Sequence, residues 1–449
     1  MKSTHYNKED NTYEVVCLAD KIDTGRINTG LTVSVPGSKS ITNRALLLAT
    51  LAEGTSTLSG VLFSDDSRHF LKCVQDLGFD TEVDEAGCKV KVTGMGGRIP
   101  KQEASVYVGS AGTAARFLTA ILGLSNGTYH MDASEQMRRR PMAPLLESLQ
   151  ALGCDVQYEG NGKEGFFPFT LHSHGFQQNE ITIDIGHSSQ FLSALLIASC
   201  LDGEDFTINV EGTHGMAYIE MTVKMMKQFG VLSNQVKPGQ FITAKGQSYV
   251  SMDYPIEPDA SAASYFYAMC PLLSIPVKVR NIHFDSLQGD VAFIHILEQM
   301  GCHAVDESDG IILFPPKEGF HGVTVDMSAC SDQAITLAAI APFADTPTTI
   351  TGIGHIRFQE SDRISAIVTE LTRMGITCKE DEAAPGSITI LPGTPKPCTV
   401  QTYNDHRMAM GFSLVGLRSQ GILIHDPSCC AKTFETYFEV LDDIIQSLN

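Results

Sequence analysis

The chain has 449 residues, enough for about three domains of ~150 residues each. Its 32 Lys and Arg against 52 Asp and Glu give a formal net charge of −20, which disfavours partners such as duplex nucleic acid or a membrane surface, because both require a basic face. Apolar residues make up 43% and charged residues 19%, as in folded proteins rather than disordered ones, so an anionic ligand needs a local positive site.

The opening segment, MKSTHYNKEDNTYE, is polar and lacks the apolar core of a signal peptide, so we expect a mobile tail. The longest apolar run, Phe191–Leu201, is about half of the ~20 residues that a membrane-spanning helix needs. The 12 Cys form no CxxC pair, which argues against both a zinc site and a disulfide scaffold. We therefore expect a soluble, cytoplasmic protein with no metal or cofactor.

An amphipathic helix pattern that ends in Gly recurs five times along the chain. The glycines lie 71 to 77 residues apart and are Gly78, Gly153, Gly230, Gly301 and Gly375. Each stands where the end of a helix needs a left-handed residue, which Gly adopts without steric cost. The pattern predicts charged outer helices in a structural repeat.

A second kind of helix alternates with the first and is rich in Ala, Ser and Leu. Six such segments occur, 70 to 76 residues apart: NRALLLATLAEG, TAARFLTAILGL, SQFLSALLIASC, AASYFYAMCPLL, DQAITLAAIAPF and HRMAMGFSLVGL. Helices that are apolar on most faces must be buried. These segments predict six inner helices.

Short β-branched runs lie between the helices and predict strands. They are LTVSV, STLSGV, ASVYVG, ITIDIG, FTINVEG, PVKVRNI, VTVDMS, TTITGI and GILIHD. The repeat is then a β-α-β-α-β-β unit of ~70–75 residues, present six times and divided three plus three, because six units exceed one domain. Pro-bearing segments near Pro36 and Pro255 are candidate crossovers. We expect residues 1–36 to join the C-terminal lobe, 37–255 to hold repeats one to three, and 256–449 to hold repeats four to six.

Polar residues stand at the start of each inner helix, in contrast to the apolar stretch that follows. They occupy residues 37–44, 109–116, 187–190, 259–264, 331–333 and 404–407. A helix N-terminus offers unpaired N–H donors and about half a positive charge, which favours anions. Serines there also serve as ordinary N-caps.

Four cations do not fit the N-cap interpretation, because the helix dipole disfavours positive charge at a helix start. They are Lys39, Arg44, Arg116 and Arg407. Such unfavourable placement is expected where anions bind. Further charged groups near element starts are Arg140, Lys432 and the run Gln359-Glu360-Ser361-Asp362-Arg363. No P-loop, dinucleotide fingerprint, metal set or serine-hydrolase motif is visible in the sequence.

Ten segments in order, from about residue 30 onward, resemble the EPSP synthase (3-phosphoshikimate 1-carboxyvinyltransferase) family of enolpyruvyl transferases. They are VPGSKSITNRALLLA, GSAGTAAR, RRRPM, HSSQFLSALL, EPDASAASYF, QGD, SDQAIT, IRFQESDRI, YNDHRMAM and AKTF. The resemblance implies a two-lobed inside-out α/β barrel of six β-α-β-α-β-β units, three per lobe. It also implies transfer of the enolpyruvyl group of phosphoenolpyruvate to the 5-hydroxyl of shikimate 3-phosphate, with release of phosphate, by a monomer.

The resemblance also assigns roles to residues. The catalytic residues would be Lys39, Asp332 and Glu360. Shikimate 3-phosphate would be bound by Lys39, Ser40, Arg44, Ser188, Ser189, Gln190, Tyr218, Asp332 and Gln359. Phosphoenolpyruvate would be bound by Lys39, Gly112, Arg140, Gln190, Arg363, Arg407 and Lys432.

The sequence departs from the family pattern at three places. Ser110 stands where Asn is common, Gln359 where Lys is common, and Gly215-Met216-Ala217-Tyr218 where a Ser-x-Pro-Tyr run is common. Compared with the family pattern, the predicted acceptor site lacks a cation at Gln359 and a hydroxyl at Gly215. The phosphoenolpyruvate half of the site is therefore better supported than the acceptor half.

Two other functions stay open at this stage. One is an enolpyruvyl transferase of the same fold that acts on another phosphorylated alcohol, such as a nucleotide or cyclitol. A UDP-N-acetylglucosamine acceptor is disfavoured, because that relative uses a loop Cys and this chain has none between Cys88 and Cys154. The other is a non-catalytic binding protein, against which the joint presence of Lys39, Asp332 and Glu360 speaks.

Overall fold

The computed structural model describes residues 3, 5–19, 30–158, 163–186, 188–201 and 203–448. By its contacts the chain divides into two compact units. Gly37–Glu257 is called the continuous unit, and Met1–Pro36 together with Pro258–Asn449 is called the split unit.

The continuous unit holds three four-stranded sheets. Their strand orders are β15-β4-β6-β5, β7-β8-β10-β9 and β11-β12-β14-β13. The strands are β4 Glu53–Ser59, β5 Asp80–Asp84, β6 Lys89–Met95, β7 Glu103–Tyr107, β8 Asn126–Asp132, β9 Asp155–Tyr158, β10 Phe169–His174, β11 Glu180–Asp184, β12 Phe206–Glu211, β13 Ser233–Lys237, β14 Gln240–Thr243 and β15 Asp253–Pro255.

The split unit holds three more four-stranded sheets. Their strand orders are β1-β2-β24-β23, β17-β18-β16-β3 and β19-β20-β22-β21. The strands are β1 Tyr6–Asn7, β2 Thr12–Glu14, β3 Leu31–Val33, β16 Val277–Val279, β17 His303–Glu307, β18 Gly310–Phe314, β19 Thr324–Asp326, β20 Thr348–Thr351, β21 Cys378–Glu380, β22 Ile388–Ile390, β23 Cys398–Val400 and β24 Ile422–His425. All nine segments predicted as strands contain one.

The helices alternate along the chain with the strands. In the continuous unit they are α1 Lys39–Leu51, α2 Asp65–Asp76, α3 Gly112–Gly123, α4 Glu135–Arg138, α5 Ala143–Ala151, α6 Gln190–Ala198 and α7 Met216–Gln228. In the split unit they are α8 Ala260–Leu273, α9 Ala292–Gln299, α10 Ala334–Ile340, α11 Arg363–Arg373, α12 His406–Arg418 and α13 Tyr437–Leu448.

The six apolar segments form the inner helices α1, α3, α6, α8, α10 and α12. Every residue of α3 and of α8 is buried. In the continuous unit α3 packs against both α1 and α6, and in the split unit α8, α10 and α12 pack against one another. The inner helices therefore form the core of each unit, and the sheets lie outside them.

The five predicted glycines end outer helices as expected. Gly78, Gly153, Gly230, Gly301 and Gly375 all have φ between +79° and +109°. The sixth outer helix, α13, was not predicted from this pattern, because residues 437–449 contain no glycine. Six units of the predicted kind are thus present, and the predicted fold class is confirmed.

Residues 5–14 do not form the mobile tail that the polarity of the opening segment predicts. Strands β1 and β2 pair antiparallel, and β2 pairs with β24. Tyr13 is fully buried, its ring lies 4.5 Å from that of Phe438, and its hydroxyl donates to Asp442 at 2.5 Å. The sixth repeat has only two strands of its own, and the N-terminal hairpin supplies the other two.

Two strands are exchanged between distant parts of the chain. Strand β3 lies just before α1 in sequence but pairs parallel with β16, and β15 lies just before α8 but pairs parallel with β4. The chain leaves the split unit after Pro36 and re-enters it at Pro258. None of the helices in the described part of the chain is long and apolar enough to cross a membrane.

Candidate active site

The starts of the three inner helices of the split unit meet at Arg407. This residue is in the first turn of α12, and its Nη2 lies 2.7 Å from Oδ2 of Asp332, which precedes α10. The same nitrogen donates to Oγ of Ser261, in the first turn of α8, at 3.3 Å. The side chains at these helix starts therefore converge, as their polarity predicts.

Arg363 is the centre of the polar cluster in the split unit. Its side chain is only 1% exposed, yet it contacts three carboxylates. Nη1 donates to Asp332 at 2.9 Å, Nη2 to Glu360 at 2.8 Å, and Nε to Asp405 at 2.8 Å. Burial alone would lower the pKa of Arg363, but the three carboxylates outweigh it and raise the pKa above its ordinary value.

Glu360 links this centre to a third cation. Its other oxygen, Oε1, lies 3.3 Å from Nζ of Lys432, and both side chains are 8% exposed. Gln359 is half-buried, one residue before Glu360. The predicted residues Asp332, Glu360, Arg363, Arg407 and Lys432 thus form one chain of alternating charges.

Asp405 is a member of this cluster that the sequence analysis missed. It caps α12 by accepting from the backbone N–H of Arg407 at 3.0 Å, and it also accepts from Ser361 Oγ at 3.0 Å. Its side chain is fully buried. An Asp immediately before a helix start reads as an N-cap, and nothing in the sequence pairs it with Arg363, 42 residues away.

All three cations of the cluster are in ion pairs. Arg363, Arg407 and Lys432 pair with the carboxylates of Asp332, Glu360 and Asp405, of which Asp332 is the most exposed at 22%. A fourth carboxyl group, that of Asp290, is buried near Asp332 and Arg407 and interacts with both electrostatically. Within the described ranges, no group of three or more His, Cys, Asp or Glu side chains is arranged to hold a metal ion. An incoming anion would therefore compete with Asp332 for the two guanidinium groups.

In the continuous unit, Lys39 begins α1 and contacts a second carboxylate that the sequence analysis missed. Its Nζ lies 3.4 Å from Oδ2 of Asp66, which is buried in the first turn of α2. Ser38 caps α1 by accepting from Ile41 N at 3.4 Å. Asp66 follows a Ser cap and another Asp, which is typical of any helix start, so its sequence context does not distinguish it from an ordinary helix residue.

Arg44 lies one turn further along α1 and is fully buried. Its Nε donates to Thr222 Oγ1 at 2.8 Å, and its Nη groups donate to the carbonyls of Ser40 at 3.0 Å and Tyr218 at 3.3 Å. Its guanidinium also lies over the ring of Phe117. Burial lowers the pKa of Arg44 to about 10, because these partners are neutral. Arg44 therefore ties α1 to α7.

Two arginines approach the backbone at the start of α3. A side chain at Gly112 would place its Cβ 2.7 Å from Nη1 of Arg116 and 3.0 Å from Nη1 of Arg140. Arg116 Nη1 donates to the Gly112 carbonyl at 3.2 Å. A larger residue at 112 would push against the guanidinium group of Arg116 and contact that of Arg140 closely. Gly112 and Arg140, which the resemblance assigns to the same substrate, therefore lie close together.

The start of α6 holds the other predicted residues of the continuous unit. Ser188 Oγ accepts from Gln190 N at 3.3 Å, and Ser189 is buried. Within the described part of the chain, Gln190 Oε1 is buried with no hydrogen-bond partner. His187, named in the same sequence run, lies outside the described residues.

Gly215, the third departure from the family pattern, lies against this helix start. Its φ is +64°, and a Cβ there would come within 2.6 Å of Ser189 Oγ. The chain therefore has no room for a serine at 215 in this conformation. Tyr218 is half-buried one turn further along α7.

A sequence model of the family described as EPSP synthase (3-phosphoshikimate 1-carboxyvinyltransferase) matches residues 25–441. The chain belongs to the EPSP synthase family. The resemblance seen in the ten sequence segments is confirmed.

Similar curated proteins and solved structures agree with this assignment. The chain is 44% identical over 408 residues to the 3-phosphoshikimate 1-carboxyvinyltransferase of Nostoc punctiforme, covering 91% of this chain and 94% of that protein. It is 38% identical over 416 residues to 3-phosphoshikimate 1-carboxyvinyltransferase 2 of Halalkalibacterium halodurans, covering 92% of this chain and 91% of that protein.

Among solved structures, EPSP synthase from Acinetobacter baumannii matches with a TM-score of 0.77 at 25% identity, covering 92% of this chain and 96% of that one. The enolpyruvyl transferase NikO from Streptomyces tendae matches with a TM-score of 0.70 at 16% identity, covering 96% of each chain. The NikO likeness shows the shared fold alone.

Proposed function

We propose that this enzyme transfers the enolpyruvyl group of phosphoenolpyruvate to the 5-hydroxyl of shikimate 3-phosphate and releases phosphate through a tetrahedral intermediate. The observation that carries the proposal is the buried cluster in which Arg363, Arg407 and Lys432 face Asp332 and Glu360. Relatives named for this reaction match nearly the whole chain at 38% to 45% identity.

We assign the phosphate and carboxylate of phosphoenolpyruvate in the split unit to Arg363, Arg407 and Lys432. Guanidinium groups bind such anions through paired hydrogen bonds, and these interactions are strong when water is excluded. The side chains of Arg363 and Arg407 are buried, and Asp405 accepts hydrogen bonds from Nε of Arg363 and from the backbone N–H of Arg407. In the continuous unit we assign Lys39, Gly112, Arg140 and Gln190 to the same substrate.

Shikimate 3-phosphate is assigned to Lys39, Ser40, Arg44, Ser188, Ser189, Gln190 and Tyr218 in the continuous unit, and to Asp332 and Gln359 in the split unit. Gln190 supports this assignment, since its buried Oε1 can accept a hydrogen bond from a ligand hydroxyl. The bonds of Arg44 to protein oxygens favour a role in holding α1 against α7 beside the ligand.

The reaction needs two proton transfers in its addition step and one in its elimination step. In the addition step, the 5-hydroxyl loses a proton as its oxygen bonds to C2 of phosphoenolpyruvate, and the methylene carbon gains a proton to become a methyl group. In the elimination step, the methyl group loses a proton as the C–O bond to phosphate breaks. Two carboxyl groups in different surroundings can perform these transfers.

We propose Asp332 as the base at the hydroxyl and Glu360 as the acid and base at the methyl carbon. Both oxygens of Asp332 accept hydrogen bonds from arginines. When the substrate anions take these guanidinium groups, the Asp332 carboxylate loses two cationic partners and becomes a stronger base. Glu360 stays between Arg363 and Lys432. Lys39, held by Asp66, is a third participant in this scheme.

Phosphate release from phosphoenolpyruvate tests the proposal. We expect release with shikimate 3-phosphate and none with uridine monophosphate at the same concentration. Release with the nucleotide alone would favour an enolpyruvyl transferase that acts on another phosphorylated alcohol. Absence of release with any acceptor would favour a non-catalytic binding protein.

We also propose that the enzyme is a monomer in the cytoplasm. The 12 cysteines of the sequence form no CxxC pair, which supports a reducing compartment such as the cytoplasm. Light scattering coupled to gel filtration would test the first claim, with a mass of about one chain expected. Fractionation of source cells would test the second.

A further inference from the structure

The turn that leads into α12 has an unusual backbone. The N–H of Asp405 donates to the carbonyl of Thr402 at 2.9 Å, which closes a turn with Tyr403 and Asn404 at its centre. Both central residues have positive φ, +55° and +54°. Asn tolerates this left-handed region, but an aromatic residue rarely adopts it, so other contacts must hold Tyr403 there.

The contact that holds Tyr403 is a buried carboxylate. Its hydroxyl donates to Oε1 of Glu370 at 2.6 Å, although Tyr403 as a whole residue is 42% exposed. Glu370 is fully buried and also accepts from the backbone N–H of Gln401 at 3.2 Å and from Arg373 at 3.1 Å. Oε1 and Oε2 of this carboxylate are therefore directed at residues on both sides of Thr402.

Glu370 and Arg363 lie on the same helix, α11, seven residues apart. Residues at this separation lie two turns apart on the same face of a helix. Arg363 contacts the turn at Asp405, and Glu370 contacts it at Tyr403. The turn is thus attached to α11 at two points, one at each end of the Tyr403–Asp405 segment.

Asp405 connects the turn to the two arginines that are assigned to phosphoenolpyruvate. Its Oδ2 orients Nε of Arg363, and its Oδ1 accepts from the N–H of Arg407 at the start of α12. A shift of the turn would therefore move the two guanidinium groups assigned to phosphoenolpyruvate. The hydroxyl of Tyr403 contacts neither of them.

We propose that Tyr403 is a positioning residue for phosphoenolpyruvate, whose hydrogen bond to Glu370 fixes the Tyr403–Asp405 turn and so aligns Arg363 and Arg407. The ligand named here rests on the proposed function, whereas the attachment of the turn does not. Burial of Tyr403 and its bond to Glu370 raise the pKa of the tyrosine hydroxyl to about 12, so it stays a donor at neutral pH.

The test is Tyr403→Phe, which removes the hydroxyl and keeps the ring. Tyr13→Phe is the matched control, because Tyr13 also donates to a carboxylate in the split unit, that of Asp442, and belongs to no assigned site. Loss of a hydrogen bond to a charged group weakens an equilibrium by roughly tenfold, so we expect KM for phosphoenolpyruvate to rise about 3- to 10-fold. KM for shikimate 3-phosphate should change by less than about twofold in both variants.

Amide hydrogen exchange provides a second readout that needs no activity. The N–H groups of Asp405 and Arg407 should exchange about tenfold faster in Tyr403→Phe and at the wild-type rate in Tyr13→Phe. Unchanged exchange at these amides would overturn the proposal, as would an equal rise in both KM values. If wild-type enzyme released no phosphate with shikimate 3-phosphate, the proposed function would fail, and the exchange rates alone would decide the role of Tyr403.

Discussion

Replacement of Asp405 by Asn is expected to lower the free energy of unfolding of the split unit by about 3 kcal/mol. Removing one partner of a buried ion pair costs roughly 3–5 kcal/mol, because the other charge is left buried. Arg363 and Asp405 are both at most 1% exposed. Arg363 keeps Asp332 and Glu360 as partners in the variant, so we expect the lower end of that range.

Asp362→Asn is the matched control for this substitution. Asp362 also caps a helix, α11, and also pairs with an arginine, Arg357, but its side chain is 44% exposed. Asn caps a helix about as well as Asp, and an exposed ion pair contributes at most ~1 kcal/mol. The loss in Asp362→Asn should therefore be no more than about 1 kcal/mol.

Urea unfolding of both variants, followed by circular dichroism, measures the two losses against the wild type. Asp405→Asn should also raise KM for phosphoenolpyruvate, since Asp405 orients Arg363 and Arg407. Equal losses of stability in the two variants would refute the view that Asp405 neutralises a buried cation in the cluster.

Three further predictions follow from the site. Glu360→Gln should keep substrate binding, measured by calorimetry, and lose turnover by orders of magnitude; a wild-type rate would remove Glu360 from the proton transfers. Lys39→Ala should lose both binding and turnover, and an unchanged rate would exclude its assigned role. Burial and the nearby Asp332 raise the pKa of Asp290 from 3.8 to about 7, so its protonated form stabilises the fold at low pH and this contribution is lost as pH rises from about 4 to 7. As pH rises from 5 to 7.5, the free energy of unfolding of the wild type should therefore fall relative to that of Asp290→Asn, as measured by urea unfolding. A difference between the two proteins that stays constant over this pH range would contradict the prediction.

Local patterns in the sequence were sufficient to predict the repeat. Glycines such as Gly78 end a helix in a conformation that depends on their immediate neighbours, and the apolar inner helices are buried whatever lies beside them. The N-terminal hairpin and α13 could not be predicted in this way. The hairpin depends on pairing between Tyr13 and Ile424, more than 400 residues apart in sequence, and residues 437–449, which include α13, contain no glycine.

The cations of the candidate site could be predicted from the sequence more readily than its carboxylates. Lys39 and Arg407 stand out because they oppose the helix dipole. Asp66 and Asp405 stand at favourable positions in the first turn or at the cap of a helix, so their sequence context does not distinguish them from ordinary residues there. Only the tertiary structure shows that each contacts a cation from another helix.

A crystal structure with shikimate 3-phosphate and an unreactive analogue of phosphoenolpyruvate would test the role of the Arg363 cluster directly. Asp332 Oδ1 lies 2.9 Å from Nη1 of Arg363, and its Oδ2 lies 2.7 Å from Nη2 of Arg407. We predict that both distances rise beyond hydrogen-bonding range and that ligand oxygens lie about 3 Å from both guanidinium groups. Retention of both ion pairs, with the analogue bound elsewhere, would contradict the assignment of this cluster to phosphoenolpyruvate.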